Sequence, residues 1–385
     1  MLKKVVCHMR LVTPAFIGSG DGQCADTLSP ASLKGALRFW WRACRWDALL
    51  AECQGDSSLA LKTLQQREAD MFGSANANSS HQSRVLIKPV MPISKGNFDL
   101  KQVENKRGFQ YLAGLGLYHF RDGFLRKALN PFDFTLTLVC RDLDTEQERQ
   151  LGEALLAMGL LGGIGSRARK GFGSLALQSI EGLDIAVPSS PAELRATISS
   201  LGPWVSKALP PYTAFSAGSR IDVVSPSAKD ALNTLDDIGQ EQMLYRGFGR
   251  NGKVLDKVAE RNFKADHDNV QRAISDGRID AAPERAVFGL PHNYFFSSGG
   301  KMDINPEGYE RRSSPLFMHL HEFKSGEHCV ILSLLPAQFL PAGTGLEFKP
   351  GSGRSFTLSA SKSEVDWNVL HRFMDRFESR ETLTK

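Results

Sequence analysis

One stretch constrains this chain more than any other: Gly162-Gly163-Ile164-Gly165-Ser166-Arg167-Ala168-Arg169-Lys170-Gly171-Phe172-Gly173. Five glycines permit positive φ and close approach of the backbone to another surface, and Arg167, Arg169 and Lys170 make that surface positive. Such a loop suits a phosphate chain. It follows a helical pattern over 146–161, with Thr145 and Glu148 as a capping box and Leu151, Ala154, Leu155, Met158 and Leu161 as its apolar stripe. It precedes a strand-like pattern over 172–180. Rossmann and P-loop glycines follow a strand and open a helix, so the reversed order here disfavours a dinucleotide or ATP site. The structural alternative is a helix cap and tight turn, with its cations set against the helix dipole.

The flanking pattern supplies the rest of a domain. Val5, Cys7, Met9 and Leu11 alternate with Lys4, Val6, His8 and Arg10, which predicts a strand ended by Thr13-Pro14. After a loop holding Asp21 and Asp26, Ser29 is a good N-cap and Pro30 suits a first turn. Leu33, Leu37, Trp40 or Trp41, and Cys44 then recur at helical spacing, while Lys34, Arg38, Arg42 and Arg45 follow one another on another face. That basic face either contacts a polyanion or is a solvated cover for apolar surface. Nearness to the helix start favours the anionic partner for Lys34 and Arg38. Strands are predicted over 84–89 and 132–140, giving the order strand, helix, strand, strand, helix, strand. This is the ferredoxin-like or RRM-like arrangement, an α+β fold with helices packed on one face of an antiparallel sheet.

Three segments together resemble the RAMP superfamily of CRISPR systems: Thr13 to Gly18, Ser32 to Arg42 (Ser-Leu-Lys-Gly-Ala-Leu-Arg-Phe-Trp-Trp-Arg) and the loop from Gly163 to Gly173. Within it they are most similar to the first-subunit family of the type III-B (Cmr) RNA-guided effector. Later stretches, Glu284 to Pro291 and Arg311-Arg312-Ser313-Ser314-Pro315-Leu316, extend the likeness into the second half. The resemblance implies two ferredoxin-like domains, contact with guide RNA or target RNA, and other RAMP subunits as partners. It also implies that Gly163, Gly165, Ser166, Gly171 and Gly173 bring the backbone to RNA. On that reading Arg167, Arg169 and Lys170 neutralise phosphates, and Lys34, Arg38 and Arg42 extend the track.

A linker at 187–191 divides the chain into a first domain, 1–186, and a degenerate second one, 187–385. The second half suggests a helix over 192–201, a strand over 212–224, a helix over 229–244 and a charged helix over 253–275. A short strand over 285–291, a hairpin of 315–323 with 328–335, and a last helix capped by Ser363 with Asp366 complete it. Between 91 and 130, aromatics such as Phe109 and Phe120 interleave with cations, and either stack on single-stranded RNA or pack on protein. Arg246-Gly247-Phe248-Gly249-Arg250 is a weaker phosphate-loop candidate, read first as a turn. His319 and His321 share a strand face and are read as exposed imidazoles, with a metal site disfavoured.

Charge is uneven along the chain. Residues 1–182 hold 23 Lys+Arg against 17 Asp+Glu, whereas the remainder holds 24 against 25. That excess favours a polyanionic partner for the first half. Cys7, Cys24, Cys44, Cys53, Cys140 and Cys329 form no C-x-x-C pair, which disfavours a disulfide framework or structural zinc. Without a signal-like or membrane-length apolar run, a cytoplasmic protein without membrane contact or small-molecule cofactor is expected. The functional expectation is a non-catalytic RNA-binding subunit. Two alternatives remain: a metal-dependent RNA endonuclease using Asp21 or Asp26, with His8 considered as a metal-free base, and a purely structural adaptor.

Overall fold

Alternation in the first residues becomes β1 (Leu2–Leu11), with Val5, Cys7, Met9 and Leu11 buried and His8 exposed on the opposite face. In the computed structural model, residues 2–18, 27–76, 79–90, 96–249, 251–296 and 299–384 are described. α1 (Pro30–Glu52) begins at Ser29, whose side chain accepts from the Ser32 amide. It is followed by α2 (Ser57–Phe72), β2 (Val85–Ile87), α3 (Arg107–Ala113), β3 (Phe132–Arg141), α4 (Thr145–Leu161) and β4 (Leu175–Glu181). The sheet order is β2-β3-β1-β4, all antiparallel, which is the ferredoxin-like arrangement. α1 and α4 cover one face: Leu33, Leu37, Trp40 and Trp41 meet Leu155 and Met158 over Cys7, Met9 and Leu136 in one core. The box that opens α4 is Asp144 with Gln147, one residue earlier than expected, because Asp144 is the residue that stays extended.

The second half repeats this wiring. α5 (Pro191–Ser200) leads to β5 (Arg220–Val224), α6 (Ala231–Arg246) and α7 (Lys264–Asp276). Then follow β6 (His292–Phe295), β7 (Lys301–Pro306), β8 (Leu316–Glu322), β9 (His328–Leu334), β10 (Leu346–Pro350), β11 (Phe356–Leu358), α8 (Asn368–Met374) and β12 (Arg380–Thr384). Sheet order β8-β9-β5-β12 is the same permutation as in the first unit. The insertions between α6 and β8 and between β9 and α8 make a further sheet, β6-β7-β10-β11, over a core of its own. The sequence pattern did not disclose that sheet, since its strands come from two separate segments.

Several local expectations are corrected. The strand at 212–224 shrinks to β5; residues 253–258 form a short hairpin ahead of α7; and 284–288 is a 3-10 turn. The last helix is short and begins after Trp367; the Asp366 side chain accepts the Asn368 amide at 2.9 Å as expected, whereas Ser363 bonds back to Leu358 O and Ser359 O. His319 and His321, read as exposed, are 1% and 0% exposed. They lie on the edge strand β8, which packs against α4 and the glycine loop, so an alternation that suggested a solvent face is covered by the first unit. In 91–130 the packing alternative holds for most aromatics. Phe109 meets Phe124 at 5.8 Å and Phe172 at 4.8 Å between ring centroids, while Phe120 remains 75% exposed.

The two halves share their cores: Phe16, Phe109 and Phe172 pack with Leu235, Met318, Leu320 and Phe373. α3 crosses α6 where Gly108 and Gly239 face each other, and a Cβ on Gly239 would strike the Gly108 backbone. Gly239→Ala should therefore cost about 1–3 kcal/mol. Gly35, exposed within α1 with nothing within 4 Å of an added Cβ, should gain up to about 1 kcal/mol as Gly35→Ala. Urea unfolding of both variants checks the pair, and equal midpoints would contradict the helix crossing.

Candidate nucleic-acid interface

The glycine loop is a knot of backbone before it is a surface. The Ser166 amide donates to Phe16 O at 2.8 Å, Gly173 N to Pro14 O at 3.0 Å, and Ile164 N to Gly173 O at 2.9 Å. Thr13 Oγ1 donates to Gly171 O at 2.6 Å. The Thr-Pro-x-Phe-x-Gly segment and the glycine loop, far apart in sequence, are thus two sides of one turn. A Cβ at Gly165 would lie 2.7 Å from Phe16 O, and one at Gly171, where φ is +82°, would lie 2.6 Å from Leu235. Gly163 and Gly173 likewise face backbone carbonyls. The close approach these glycines allow in this structure is to protein.

The loop's cations are engaged in the same way. Arg167 Nε donates to Ala113 O at 2.8 Å and Nη2 to Leu115 O at 2.7 Å. Burial, then nearby Arg311, lowers its guanidinium from the usual arginine value. Arg169 Nη1 donates to Ser314 O, and its guanidinium lies 4.4 Å from the Phe317 ring centroid and 5.5 Å from that of Phe39. Burial, then Arg312, brings it down to about 10, which leaves it charged at neutral pH. Lys170 Nζ donates to Gln242 Oε1 at 2.9 Å, and burial holds its ammonium well below the usual lysine range. The loop thus clamps the second unit as well as carrying charge.

On α1 the basic face has anionic and polar company. Arg38 Nε and Arg42 Nη1 share one oxygen of Glu68 on α2, at 2.7 and 2.5 Å. Lys34 Nζ donates to Ser83 Oγ at 2.8 Å, and burial followed by Arg38 lowers its pKa. One carboxylate against two guanidinium groups leaves this ridge net positive, with Arg38 39% and Arg42 32% exposed at the side chain.

The structure brings Arg42 and Arg169 together on the wall of one cleft of about 930 Å³ between the two units. Lys62, Arg311 and Arg312 also line it, with Phe39, Tyr212, Tyr309 and Phe339 as aromatic surface and Glu68 as its one carboxylate among the described residues. Arg312 stacks 5.4 Å from the Phe339 ring, and Tyr309 is 53% exposed. Arg311 and Lys62 make no ion pair with any described residue. Sequence reasoning missed Lys62, Tyr309, Arg311 and Arg312 as site residues. For Arg311-Arg312 a signal was present in the matching motif, whereas Lys62 has none: a lone lysine on a polar helix carries no mark of the wall it joins.

Other candidates lie elsewhere. His8 is on the open face of the first sheet, 3.6 Å from Glu181, in a depression that also holds Arg10, Asp133 and Glu322. Arg10 is already paired there at 3.1 Å and 2.7 Å, so that surface is of mixed charge. Asp21 and Asp26 lie outside the described residues. Among the described residues no three His, Cys, Asp or Glu side chains come together as a metal site, five cysteines are free, and no helix is long and apolar enough to cross a membrane.

His319 Nδ1 lies 2.7 Å from Gly162 O; a carbonyl only accepts, so Nδ1 carries the proton. Burial pushes His319 down to about 3 and His321 to about 4. Both stay neutral in the folded chain at pH values where unfolded imidazoles, near 6.5, bind protons. Stability should therefore fall as pH drops from about 6.5 toward 4, by up to about 1.4 kcal/mol per pH unit for each imidazole. Urea midpoints between pH 7 and pH 5 check this, and His321→Phe should flatten the slope.

Residues 8–176 match the family model of the RAMP superfamily. The chain is 29% identical to the CRISPR system Cmr subunit Cmr1-2 of Pyrococcus furiosus over 196 residues, covering 46% of this chain and 96% of that protein. It is 24% identical to subunit Cmr1-1 of the same organism over 374 residues, covering 92% and 89%. The crystal structure of Cmr1 from Pyrococcus furiosus in its apo form superposes with a TM-score of 0.56 at 17% identity, covering 99% of this chain and 98% of that one. A chain of the Type III-B Cmr-beta complex bound to cognate target RNA gives 0.53 at 14%, covering 98% and 99%. At these identities the structural likeness speaks for the fold.

Proposed function

Because the chain is a member of the RAMP superfamily through its residues 8–176, we propose that it is a non-catalytic RNA-binding subunit of a type III-B CRISPR effector. It works among other RAMP subunits and holds guide or target RNA. The observation that carries this reading is the inter-unit cleft, where five cations and several aromatic rings face one carboxylate. Arg42, Lys62, Arg169, Arg311 and Arg312 take backbone phosphates, Tyr309 and Phe39 offer faces to bases, and Lys34 and Arg38 continue the track along α1. Phosphate contacts are independent of sequence, which suits a subunit of a complex whose specificity comes from base pairing. Glu68, the one carboxylate on the wall among the described residues, already accepts from two arginines, so the wall chiefly supplies positive charge and aromatic surface.

Arg311, Arg312 and Lys62 are the residues to test, because their removal leaves the glycine loop intact. The combined Ala variant should lower the slope of log affinity against log salt by about 2 for single-stranded RNA, roughly 0.7 for each lost phosphate contact. Fluorescence anisotropy across a salt series measures it. An unchanged slope removes the cleft from the interface, and magnesium-dependent cutting lost in Asp21→Ala or Asp26→Ala would replace the non-catalytic reading.

A further inference from the structure

Away from the cleft, the C-terminal end of α6 meets the glycine loop, the 3-10 turn Glu284–Phe288 and β6 in a junction rich in unsatisfied donors. Gln242, 1% exposed, accepts from Lys170 through Oε1, but its Nε2 is buried without a partner. One turn later Arg246 lies 4.4 Å from the Phe288 ring centroid; its Nε is buried and unpartnered, and it forms no ion pair with any described residue. Arg285 is 9% exposed, donates from Nη1 to Arg246 O at 3.3 Å and sits 4.5 Å from the Tyr294 ring centroid. Its Nε is 3.6 Å from Asp266, too far for a hydrogen bond, and the Asp266 oxygens already accept the Glu284 and Arg285 amides at 2.9 Å. His292 packs 4.6 Å from Tyr294 with its Nδ1 buried without a hydrogen bond, and the buried Tyr294 hydroxyl lies beside the Arg285 guanidinium with its own proton free to donate.

Asp266 is shared between Arg285 and two backbone amides and Glu284 faces Arg372, so Lys170 and Arg246 have no carboxylate partner among the described residues, and such cations are costly to bury unless something of opposite charge completes them. After burial, Arg246 and Arg167 are what hold Lys170 down, and Arg246 and Arg285 act likewise on His292. We infer that this junction is an anion site for a phosphate group, centred on Arg246, flanked by Lys170 and Arg285, with Gln242, His292 and Tyr294 as neutral donors. Arginine forks suit the tetrahedral oxygens of phosphate, and the buried amide, imidazole and hydroxyl fix its orientation. The phosphate is either a free ion or the terminal group of a nucleotide or RNA. This site is separate from the cleft and shares none of its lining.

The test is titration and thermal unfolding of the full chain with inorganic phosphate, against chloride at matched ionic strength. Phosphate should raise the unfolding temperature saturably. Arg246→Met, which keeps a stem against Phe288, should weaken phosphate binding at least tenfold, and Tyr294→Phe about threefold. Without phosphate, Arg246→Met should unfold no earlier than the parent chain, since an unpaired charge is gone; should it misfold, Tyr294→Phe decides alone. A parent chain that phosphate stabilises no more than chloride does, or variants with undiminished affinity, would overturn the site. AMP and 5′-phosphorylated RNA arms identify the source: tenfold tighter binding than inorganic phosphate assigns a nucleotide, and equal binding assigns the free ion. The salt slope of the cleft variants is read separately, so either reading fails without the other.

Discussion

The molecule depends on how the edge of one sheet is closed. β8 is the outer strand of the second sheet, and an uncovered edge offers unpaired amides and carbonyls. Here the glycine loop lies along it: Met318 N donates to Arg169 O at 3.2 Å, Leu320 N to Ser174 Oγ at 3.2 Å, and His319 Nδ1 to Gly162 O. The backbone of one ferredoxin-like unit thereby completes the sheet of the other, and the aromatic cores on either side become continuous. That docking also builds the cleft, because its walls come from α1 and α2 on one side and from 306–342 on the other.

The same docking explains why cations chosen from the sequence divide into two groups. In the sequence Arg169 and Lys170 read as charges on a glycine loop, yet the second unit lies directly over that loop and supplies Ser314 O, Phe317 and Gln242 as partners. Arg169 is still part of the cleft wall, so one residue both fastens the units and charges the surface. Lys170 has turned inward, toward the end of α6. Loop composition alone identifies the place and the sign of charge but not which side chains remain available.

Much of the first unit was legible because its signals are local. The alternation in β1 and β3, the Ser29-Pro30 start of α1 and the helix before the glycine loop each declare themselves within about ten residues. The topology of the first sheet followed from element order, whereas that of the second was implied only by the family resemblance, its last strand β12 being absent from the expected elements. What escaped depends on distant contacts. His319 and His321 alternate as a half-exposed strand would, and only the arrival of α4 and the loop buries them. The β6-β7-β10-β11 sheet draws on two insertions, and Lys62 joins Arg311 and Arg312 only in three dimensions.

The shared oxygen of Glu68 gives the ridge on α1 a way to receive an anion with little rearrangement. A phosphodiester oxygen that draws Arg42 away leaves Arg38 to neutralise the carboxylate, and the reverse exchange is equally open. Neither the acid nor the departing guanidinium is stranded at any stage. On the proposed function, a strand of RNA along this ridge would trade one acceptor for another of like charge.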